Sequence, residues 1–264
     1  MIVRYWRYAW RTPAVVLWIV YGLLLGLGMQ VAQMAARQPL SAYRQRLAQH
    51  WMRGLTRILP LRLRCHGTPA EGAQLLVSNH VSWLDIVVIG ACKPARFLSK
   101  AEVLHWPVIG WLASAAGTLF IQRGQAQGQS LQDQLGSALN DGDSLVIFAE
   151  GTTTAGDRVR TFHGRLLSCA IETDTAIQPV ALAYRRDGQR DQLAPFVDDD
   201  EFSRHLLKLL GSAVIDVDLH FLEGLDSQLG NRNQLARKAQ AAVTQTLGLG
   251  ESQTASGEFL SSAA

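Results

Sequence analysis

The chain is poor in the residues that build metal sites and disulfide frameworks. It has three cysteines in 264 residues, and Cys65, Cys92 and Cys169 form no C-x-x-C pair. Their odd number and wide spacing argue against a disulfide framework and against a zinc site. We therefore expect small buried thiols in a reducing, cytoplasmic setting.

Three common catalytic motifs are also absent from the sequence. It contains no G-x-S-x-G nucleophile elbow, which a serine lipid hydrolase needs. It contains neither the H-E-x-x-H of zinc hydrolases nor a G-x-x-x-x-G-K-[ST] phosphate loop. The net charge of +3 is too small to argue for nucleic acid as a partner. A mild basic excess instead suits a surface that meets anionic lipid headgroups.

Charged residues are missing from one long stretch, between Arg11 and Arg37. Residues 13–36 are longer than the roughly 20 apolar residues that a spanning helix needs. Residues 1–37 are therefore predicted to be a membrane anchor. The apolar core is too long for a cleaved signal peptide, but a monotopic hairpin stays open as an alternative to a full span. The G-x-x-x-G of Gly22 and Gly26 is expected to be incidental in a single apolar helix.

The next segment, residues 38–62, has apolar residues at helical spacing with arginines between them. This pattern predicts a basic amphipathic helix lying on an anionic membrane. The alternative is an ordinary helix packed on the globular domain. The excess of arginine after the anchor favours a catalytic domain on the cytoplasmic side of a bacterial inner membrane.

Residues 63–247 alternate short apolar β-like runs with helical stretches. This order predicts an α/β fold with a mixed, largely parallel sheet flanked by helices. The small, polar residues of 248–264 are predicted to be a disordered tail. The expected strands are 74–78, 96–99, 117–122, 144–149, 178–184 and 215–221, and the expected helices are 83–90, 103–115, 130–140, 164–173, 201–210 and 235–247.

The most informative motif is the pair His80 and Asp85, which lies between an apolar strand and an apolar helix. Functional groups of α/β sheets collect at such strand-to-helix turns. Histidine suits proton transfer near neutral pH, and a carboxylate can fix its tautomer. The spacing works if His80 precedes the helix and Asp85 lies in its first turn. In the alternative, Asp85 and Ser82 form only a helix-capping signal.

Together with three further segments in the same order, this motif resembles the glycerolipid acyltransferase family, whose bacterial members acylate lysophosphatidate. The resemblance implies that His80 and Asp85 are the catalytic pair and that Arg123, Glu150, Gly151, Thr152 and Thr153 occupy acceptor-binding positions. It also makes Lys100 a candidate stabiliser of the oxyanion. The four segments are NHVSWLDI at 79–86, GTLFIQRG at 117–124, FAEGTTTAG at 148–156 and IQPVA at 177–181.

Two positions depart from the family pattern. Ala149 stands where the family has proline, and Thr153 stands where it has arginine. Threonine cannot form the two-pronged hydrogen bonds of an arginine with a phosphate. Either downstream arginines replace the missing charge, or the acceptor has a different headgroup. The third segment also resembles the lyso-ornithine-lipid branch of the family, which is the alternative acceptor. The downstream arginines are Arg158, Arg160 and Arg165.

The resemblance implies a reaction without metal or other cofactor. The donor is expected to be acyl-coenzyme A or acyl carrier protein, and the expected acceptor is lysophosphatidate in the membrane, which the transfer converts to phosphatidate in phospholipid synthesis. His80 would remove the proton of the acceptor hydroxyl as it attacks the thioester. A thiolate leaves readily, so no acyl-enzyme is required. The non-enzymatic alternative is a membrane lipid-binding protein that has lost catalysis.

Overall fold

Alternating apolar strands and amphipathic helices build a layered α/β structure in the computed structural model, which describes residues 2–121, 129–197 and 200–249. The helices are α1 (Ile2–Ala35), α2 (Ser41–Ile58), α3 (Leu84–Cys92), α4 (Ile109–Ala115), α5 (Gln129–Asn140), α6 (Ser168–Glu172), α7 (Phe202–Gly211) and α8 (Arg232–Leu247), with 3₁₀ helices at Ala101–His105 and Gly164–Leu167. The strands are β1 (Leu61–His66), β2 (Leu75–Ser78), β3 (Arg96–Lys100), β4 (Leu119–Ile121), β5 (Leu145–Phe148), β6 (Ile177–Arg186), β7 (Gln189–Arg190) and β8 (Ile215–Phe221).

The sheet is mixed and largely parallel, as the sequence predicts. Its order is β1-β8-β6-β2-β5-β3-β4, with β7 paired to β6. The β6–β8 and β6–β7 pairs are antiparallel, and the other neighbours are parallel. Strand β2 lies in the middle, and Leu75, Leu76 and Val77 are fully buried there. The carboxyl ends of β2, β3 and β5 therefore meet at one edge of the sheet.

Helices cover both faces of the sheet, so two apolar clusters form. Helices α1, α2, α3 and α7 contribute to the first cluster, for example through Met52 and Leu209. Helices α5, α6 and α8 contribute to the second, for example through Leu135 and Ala239. Each face of the sheet thus has its own core.

Helix α1 lies along the outside of the first layer and contacts three other helices. At one end, Arg11 Nη1 donates hydrogen bonds to the carbonyl oxygens of Leu210 and Ser212, at 3.0 and 2.8 Å. In the middle, the indole N–H of Trp18 donates to Trp51 O, and that of Trp51 donates to Trp18 O, both at 2.9 Å. These bonds fix α1 to the end of α7 and to α2.

The two glycines of the G-x-x-x-G have a packing role, and the expectation that the motif is incidental is wrong. A side chain at Gly22 would overlap the indole of Trp51, and one at Gly26 would overlap the ring of Trp111 on α4. The glycines allow large aromatic rings to lie directly on the α1 backbone.

Helix α2 is packed between α1 and α3, and four of its side chains are buried in the interior: Gln45, Gln49, Met52 and Leu55. The structure thus agrees with the second possibility, an ordinary helix packed on the globular domain. Contact of α2 with a membrane stays a prediction. The expected boundary at residue 62 falls inside β1. Leucine and arginine alternate along this strand, as expected of an edge strand with one buried face. The strand was not predicted, because the predicted helical segment 38–62 included its first residues.

The expected helix 103–115 is interrupted. A 3₁₀ helix covers Ala101–His105, and α4 begins at Ile109. Pro107 lies in the break, and Val108 has a φ of 65°. Proline has no N–H for the helical ladder, and a β-branched residue at positive φ is strained. The expected helix 164–173 likewise starts as a 3₁₀ helix, Gly164–Leu167, before α6.

The expectation for the cysteines holds only for Cys169, which is buried and free. Cys65 on β1 and Cys92 at the end of α3 lie side by side, but their Cα atoms are 7.5 Å apart, which is beyond the roughly 4.4–6.8 Å that ordinary disulfides span. The proximity of the two cysteines could not be predicted from their separation of 27 residues, because it depends on how the edge strand packs against α3. Arg123 and most of the predicted tail, residues 250–264, lie outside the described residues.

Candidate active site

His80 and Asp85 meet at the turn between β2 and α3. His80 lies in the loop, and Asp85 lies in the first turn of α3. The Nδ1 atom of His80 is 2.7 Å from Oδ2 of Asp85. Because a carboxylate only accepts hydrogen bonds, Nδ1 carries the proton and Nε2 is the basic nitrogen. The Asp85 side chain is fully buried, while that of His80 is 19% exposed.

Asp85 is held from several directions. Its Oδ2 also accepts the backbone N–H of Val81 at 2.7 Å and of Ser82 at 3.0 Å. Its Oδ1 accepts the hydroxyl of Tyr184 at 2.7 Å. Burial, and then the negative charge of Asp85, raise the pKa of Tyr184 well above its usual value, so the hydroxyl stays a donor. The carboxylate is fixed in position and has its negative charge compensated by hydrogen bonds.

Two further residues orient the loop that carries His80. The His80 ring stacks on Phe148, with the ring centres 3.9 Å apart and the planes 13° from parallel. The Asn79 side chain exchanges two hydrogen bonds, each of 2.9 Å, with the backbone of Leu182 on β6. This exchange continues the β2–β6 pairing one residue beyond Ser78 and fixes the start of the turn.

Glu150, predicted to bind the acceptor, is placed beneath the site. It is 3% exposed, and its Oε1 accepts the backbone N–H of His80 at 2.9 Å. Its Oε2 accepts the backbone N–H of Arg160 at 3.0 Å. Burial raises the pKa of Glu150 to about 7, although both hydrogen bonds act in the opposite direction. The contacts of Glu150 are therefore with the protein backbone.

A cavity of about 1240 Å³ opens at His80. Lys100, at the carboxyl end of β3, lines it, and so do Gly151, Thr152 and Thr153 after β5. The structure thus brings four predicted acceptor and oxyanion positions to the cavity that His80 lines. Their places follow from the topology, because β2, β3 and β5 end at the same edge of the sheet.

Several lining residues could not be selected from the sequence. His163 lines the cavity, and so does Arg44 of α2. Arg165, one of the downstream arginines named from the sequence, lines it as well. Burial lowers the pKa of Arg44, and the nearby charge of Arg96 lowers it further. Tyr184 was also missed, because it is 99 residues from Asp85 and ends an expected strand without any motif. Of the downstream arginines, Arg165 is thus at the cavity.

Comparisons with known proteins agree with this arrangement. The model of the Acyltransferase family matches residues 62–183. The lyso-ornithine lipid O-acyltransferase of Pseudomonas aeruginosa is 46% identical over 224 residues, which are 83% of this chain and 86% of that protein. This chain belongs to the acyltransferase family.

Two further similarities support the family and the fold. The lyso-ornithine lipid O-acyltransferase of Rhodobacter capsulatus is 32% identical over 92% of this chain and 90% of its own length. The crystal structure of the 1-acyl-sn-glycerophosphate acyltransferase of Thermotoga maritima superposes with a TM-score of 0.63. It shares 17% sequence identity and covers 90% of this chain and 96% of its own. That likeness concerns the fold alone.

The acyltransferase is associated with membranes through α1. This helix of 34 residues is long and apolar enough to cross a bilayer, and only 11% of its most apolar window is buried inside the protein. Its outward side chains include Trp6, Leu17, Leu24 and Val31, each more than half exposed. A lysolipid acyltransferase can thus reach an acceptor that is dissolved in the bilayer.

Proposed function

We propose that this acyltransferase transfers a fatty acyl chain from acyl-coenzyme A or acyl carrier protein to the hydroxyl of a lyso-ornithine lipid. The observation that carries the proposal is Thr153. It lines the cavity beside Thr152, at a position where the family pattern has an arginine. The two relatives named above, which match most of their own length, act on that acceptor by name.

His80 and Asp85 supply the proton transfer in this proposal. Nε2 of His80 removes the proton from the lysolipid hydroxyl as the oxygen attacks the thioester carbonyl. Asp85 holds the proton on Nδ1 and stabilises the imidazolium that forms. General-base help of this kind is worth about 10²–10⁴ in rate. The imidazolium then protonates the leaving thiolate or returns its proton to water, which restores the enzyme.

The remaining lining residues position the substrates. Lys100, which ends β3 at the cavity, would stabilise the developing oxyanion. Gly151 has a φ of 70°, a left-handed turn that suits glycine and presents the residues that follow it to the cavity. Thr152 and Thr153 offer hydroxyls to the acceptor headgroup. Arg123 keeps its predicted role as an acceptor-binding residue.

Lysophosphatidate is the second candidate acceptor, because Arg165 lines the same cavity and could pair with a phosphate. Purified enzyme with one acyl-coenzyme A and an equimolar mixture of the two lysolipids separates the candidates, with mass spectrometry of both products. We expect product from lyso-ornithine lipid in at least tenfold excess. Thr153→Arg should shift the ratio towards phosphatidate, while Thr161→Arg, at an exposed neighbouring loop position, should not. Equal or greater phosphatidate formation by the wild-type enzyme would overturn the proposal.

We also propose that α1 lies in the plane of one leaflet. Helix α1 contacts the rest of the protein from Tyr8, whose ring lies against Gly211 of α7, to Gly26, which lies against the ring of Trp111 on α4. That length is about 27 Å of helix, close to the roughly 30 Å of bilayer hydrocarbon. If α1 crossed the bilayer, α2 and α7, which pack along it and carry arginine and lysine side chains, would have to enter the hydrocarbon. An in-plane helix leaves them at the interface.

Single cysteines at the two ends of α1 test this placement. Arg4→Cys and Gln38→Cys, in a variant without the native cysteines, are labelled with a membrane-impermeant maleimide in sealed vesicles of both orientations. We expect both positions to react from the cytoplasmic side. Labelling of the two positions from opposite sides would show a spanning helix.

A further inference from the structure

Two arginines downstream of Thr153 lie outside the cavity. Arg165 lines the cavity, whereas Arg158 and Arg160, which the structure also describes, are not among its lining residues. Both belong to residues 151–163, a connection after β5 that contains neither helix nor strand. Connections of this length are uncommon in compact domains and are often functional. We call residues 157–160 the basic loop.

The basic loop is attached to the turn that carries His80. The backbone N–H of Thr154, just before the loop, donates to His80 O at 2.9 Å. Glu150 accepts the backbone N–H of His80 with Oε1 and that of Arg160 with Oε2, at 2.9 and 3.0 Å. One buried carboxylate therefore separates the backbone of Arg160 from that of His80. The two arginines are thus held close to His80, but outside the cavity.

Alternate burial turns the arginine side chains outward. Val159 and Phe162 are buried in the second apolar cluster, while Arg158 and Arg160 are exposed. The backbone N–H of Phe162 donates to Oε1 of Gln240 on α8 at 3.3 Å. Helix α8 covers the face of the sheet opposite to α1. The basic loop therefore lies towards the side of the domain away from the helix that associates with the membrane.

Neighbouring carboxylates leave the positive charges of the basic loop available. Asp157, the acidic residue of the loop, contacts Arg190 at 4.0 Å. Arg158 and Arg160 take part in no ion pair with the described residues. Burial raises the pKa of Glu150, and the charge of Arg160 acts only weakly against it. The basic loop thus presents two guanidinium groups to solution, and such groups bind phosphate oxygens through paired, charge-assisted hydrogen bonds.

Both expected acyl donors carry the same anionic group. Acyl-coenzyme A and acyl carrier protein each hold the acyl chain as a thioester at one end of a phosphopantetheine arm, and a phosphate stands at the other end. We propose that Arg158 and Arg160 bind the phosphate of this arm while its thioester lies at His80. The arm is long and flexible, so its phosphate lies outside the cavity that holds the thioester.

The position of the basic loop favours the donor over the acceptor. The lysolipid stays in the membrane, on the side of α1, whereas the donor reaches the enzyme from water. A basic site on the water side raises the rate at which an anionic donor is captured. This assignment rests on the proposed thioester donor and does not depend on which headgroup the acceptor has.

Two donors that differ by a single phosphate test the assignment. Acyl-phosphopantetheine carries the phosphate, and acyl-pantetheine lacks it. For each donor, kcat/KM is measured in mixed micelles of a neutral detergent, with the lysolipid that the wild-type enzyme acylates. Acyl-coenzyme A and acyl carrier protein are measured in parallel, because they separate binding of the shared phosphate from contacts with the nucleotide or with the carrier protein.

Arg158→Ala combined with Arg160→Ala should lower kcat/KM about tenfold for the three donors that carry the phosphate, mainly through KM. The same variant should use acyl-pantetheine as well as the wild type does. The substitutions leave the backbone bond from Arg160 to Glu150 in place. Arg158→Lys combined with Arg160→Lys keeps the charge and should recover part of the loss. Arg62→Ala, an exposed arginine on the edge strand β1, is the matched control.

An equal loss with acyl-pantetheine would show that the arginines act on the acceptor or on the fold, and would overturn the assignment. Wild-type kinetics in the folded double-alanine variant would overturn it too, as would a loss confined to acyl-coenzyme A or to acyl carrier protein. A loss seen only on vesicles of anionic lipid would place the arginines at the membrane instead. Failure of the lyso-ornithine proposal is distinct, since it appears in the wild-type enzyme as a change of acceptor.

Discussion

The hydroxyl of Tyr184 donates a hydrogen bond of 2.7 Å to Oδ1 of Asp85, while Oδ2 of the same carboxylate contacts His80. The charge of Asp85 is thus shared between His80 and a buried tyrosine on β6. Tyr184→Phe removes only the hydroxyl. A hydrogen bond to a charged group is worth about 1.5–3 kcal/mol, so we expect kcat to fall about tenfold or more.

The pH profile distinguishes this effect from a general loss of structure. Without the tyrosine hydroxyl, Asp85 presents more negative charge to His80 and favours the imidazolium. The acid limb of the kcat/KM profile should therefore move to higher pH in Tyr184→Phe. A reduced rate with an unmoved acid limb would contradict this role of Tyr184.

Replacement of the carboxylate itself should have a larger effect. Asp85→Asn keeps the shape but favours the wrong tautomer of His80, which in a serine protease triad costs about 10⁴ in kcat. We expect a loss of about 10³–10⁴ in kcat with little change in the KM of either substrate. Asp216→Asn, which loses ion pairs to Arg62 and Arg64 at the sheet edge, is the control and should keep its activity. Near-normal turnover by a folded Asp85→Asn variant would contradict the mechanism.

Glu150 predicts how stability depends on pH. Its pKa is raised to about 7 in the folded protein, from an ordinary value of 4.5. The folded state therefore favours the protonated acid, and the stability contributed by Glu150 is lost as pH rises towards and through 7. Glu150→Gln does not titrate. The unfolding temperature of the wild type, relative to that of Glu150→Gln, should therefore fall between pH 5 and pH 8.

Thermal unfolding in detergent across this pH range provides the measurement. Glu172→Gln removes an exposed carboxylate and is the control for the loss of one negative charge. A difference between wild type and Glu150→Gln that stays constant from pH 5 to pH 8 would show that Glu150 keeps one protonation state throughout.

The packing of α1 can be tested with two glycines of the same helix. Gly22→Ala would push the Trp51 indole away and break its bond to Trp18 O. Overpacking of this kind costs about 1–3 kcal/mol, so we expect a lower unfolding temperature. Gly28→Ala meets no neighbouring atom and should be neutral or slightly stabilising. Equal unfolding temperatures for the two variants would contradict the described α1–α2 contact.

The sequence alone predicted the parts of the structure that depend on local order. His80 and Asp85 lie together because both belong to the same six-residue stretch at one strand-to-helix turn. The largely parallel sheet follows from the alternation of strands and helices. Contacts that depend on the order of the strands in the sheet could not be predicted from the sequence. Tyr184 joins the site only because β6 pairs with β2, with Ser78 opposite Val180.

Other differences have equally specific causes. The expected helix 103–115 ignored Pro107, and the structure breaks there. The role of Gly22 and Gly26 depended on which aromatic rings α2 and α4 present to α1, which one helix cannot reveal. Glu150 matched a family position, but its burial beneath the His80 backbone is a consequence of the β2–β5 pairing.

The most direct test of the account is the rate of acyl transfer by His80→Ala. The folded variant, checked by its unfolding temperature, is incubated with acyl-coenzyme A or acyl carrier protein and the lysolipid that the wild type acylates. Transfer should fall by about 10²–10⁴ because the general base is lost, while the lysolipid still binds. Turnover within a few-fold of the wild-type rate would contradict the role of His80 and the mechanism built on it.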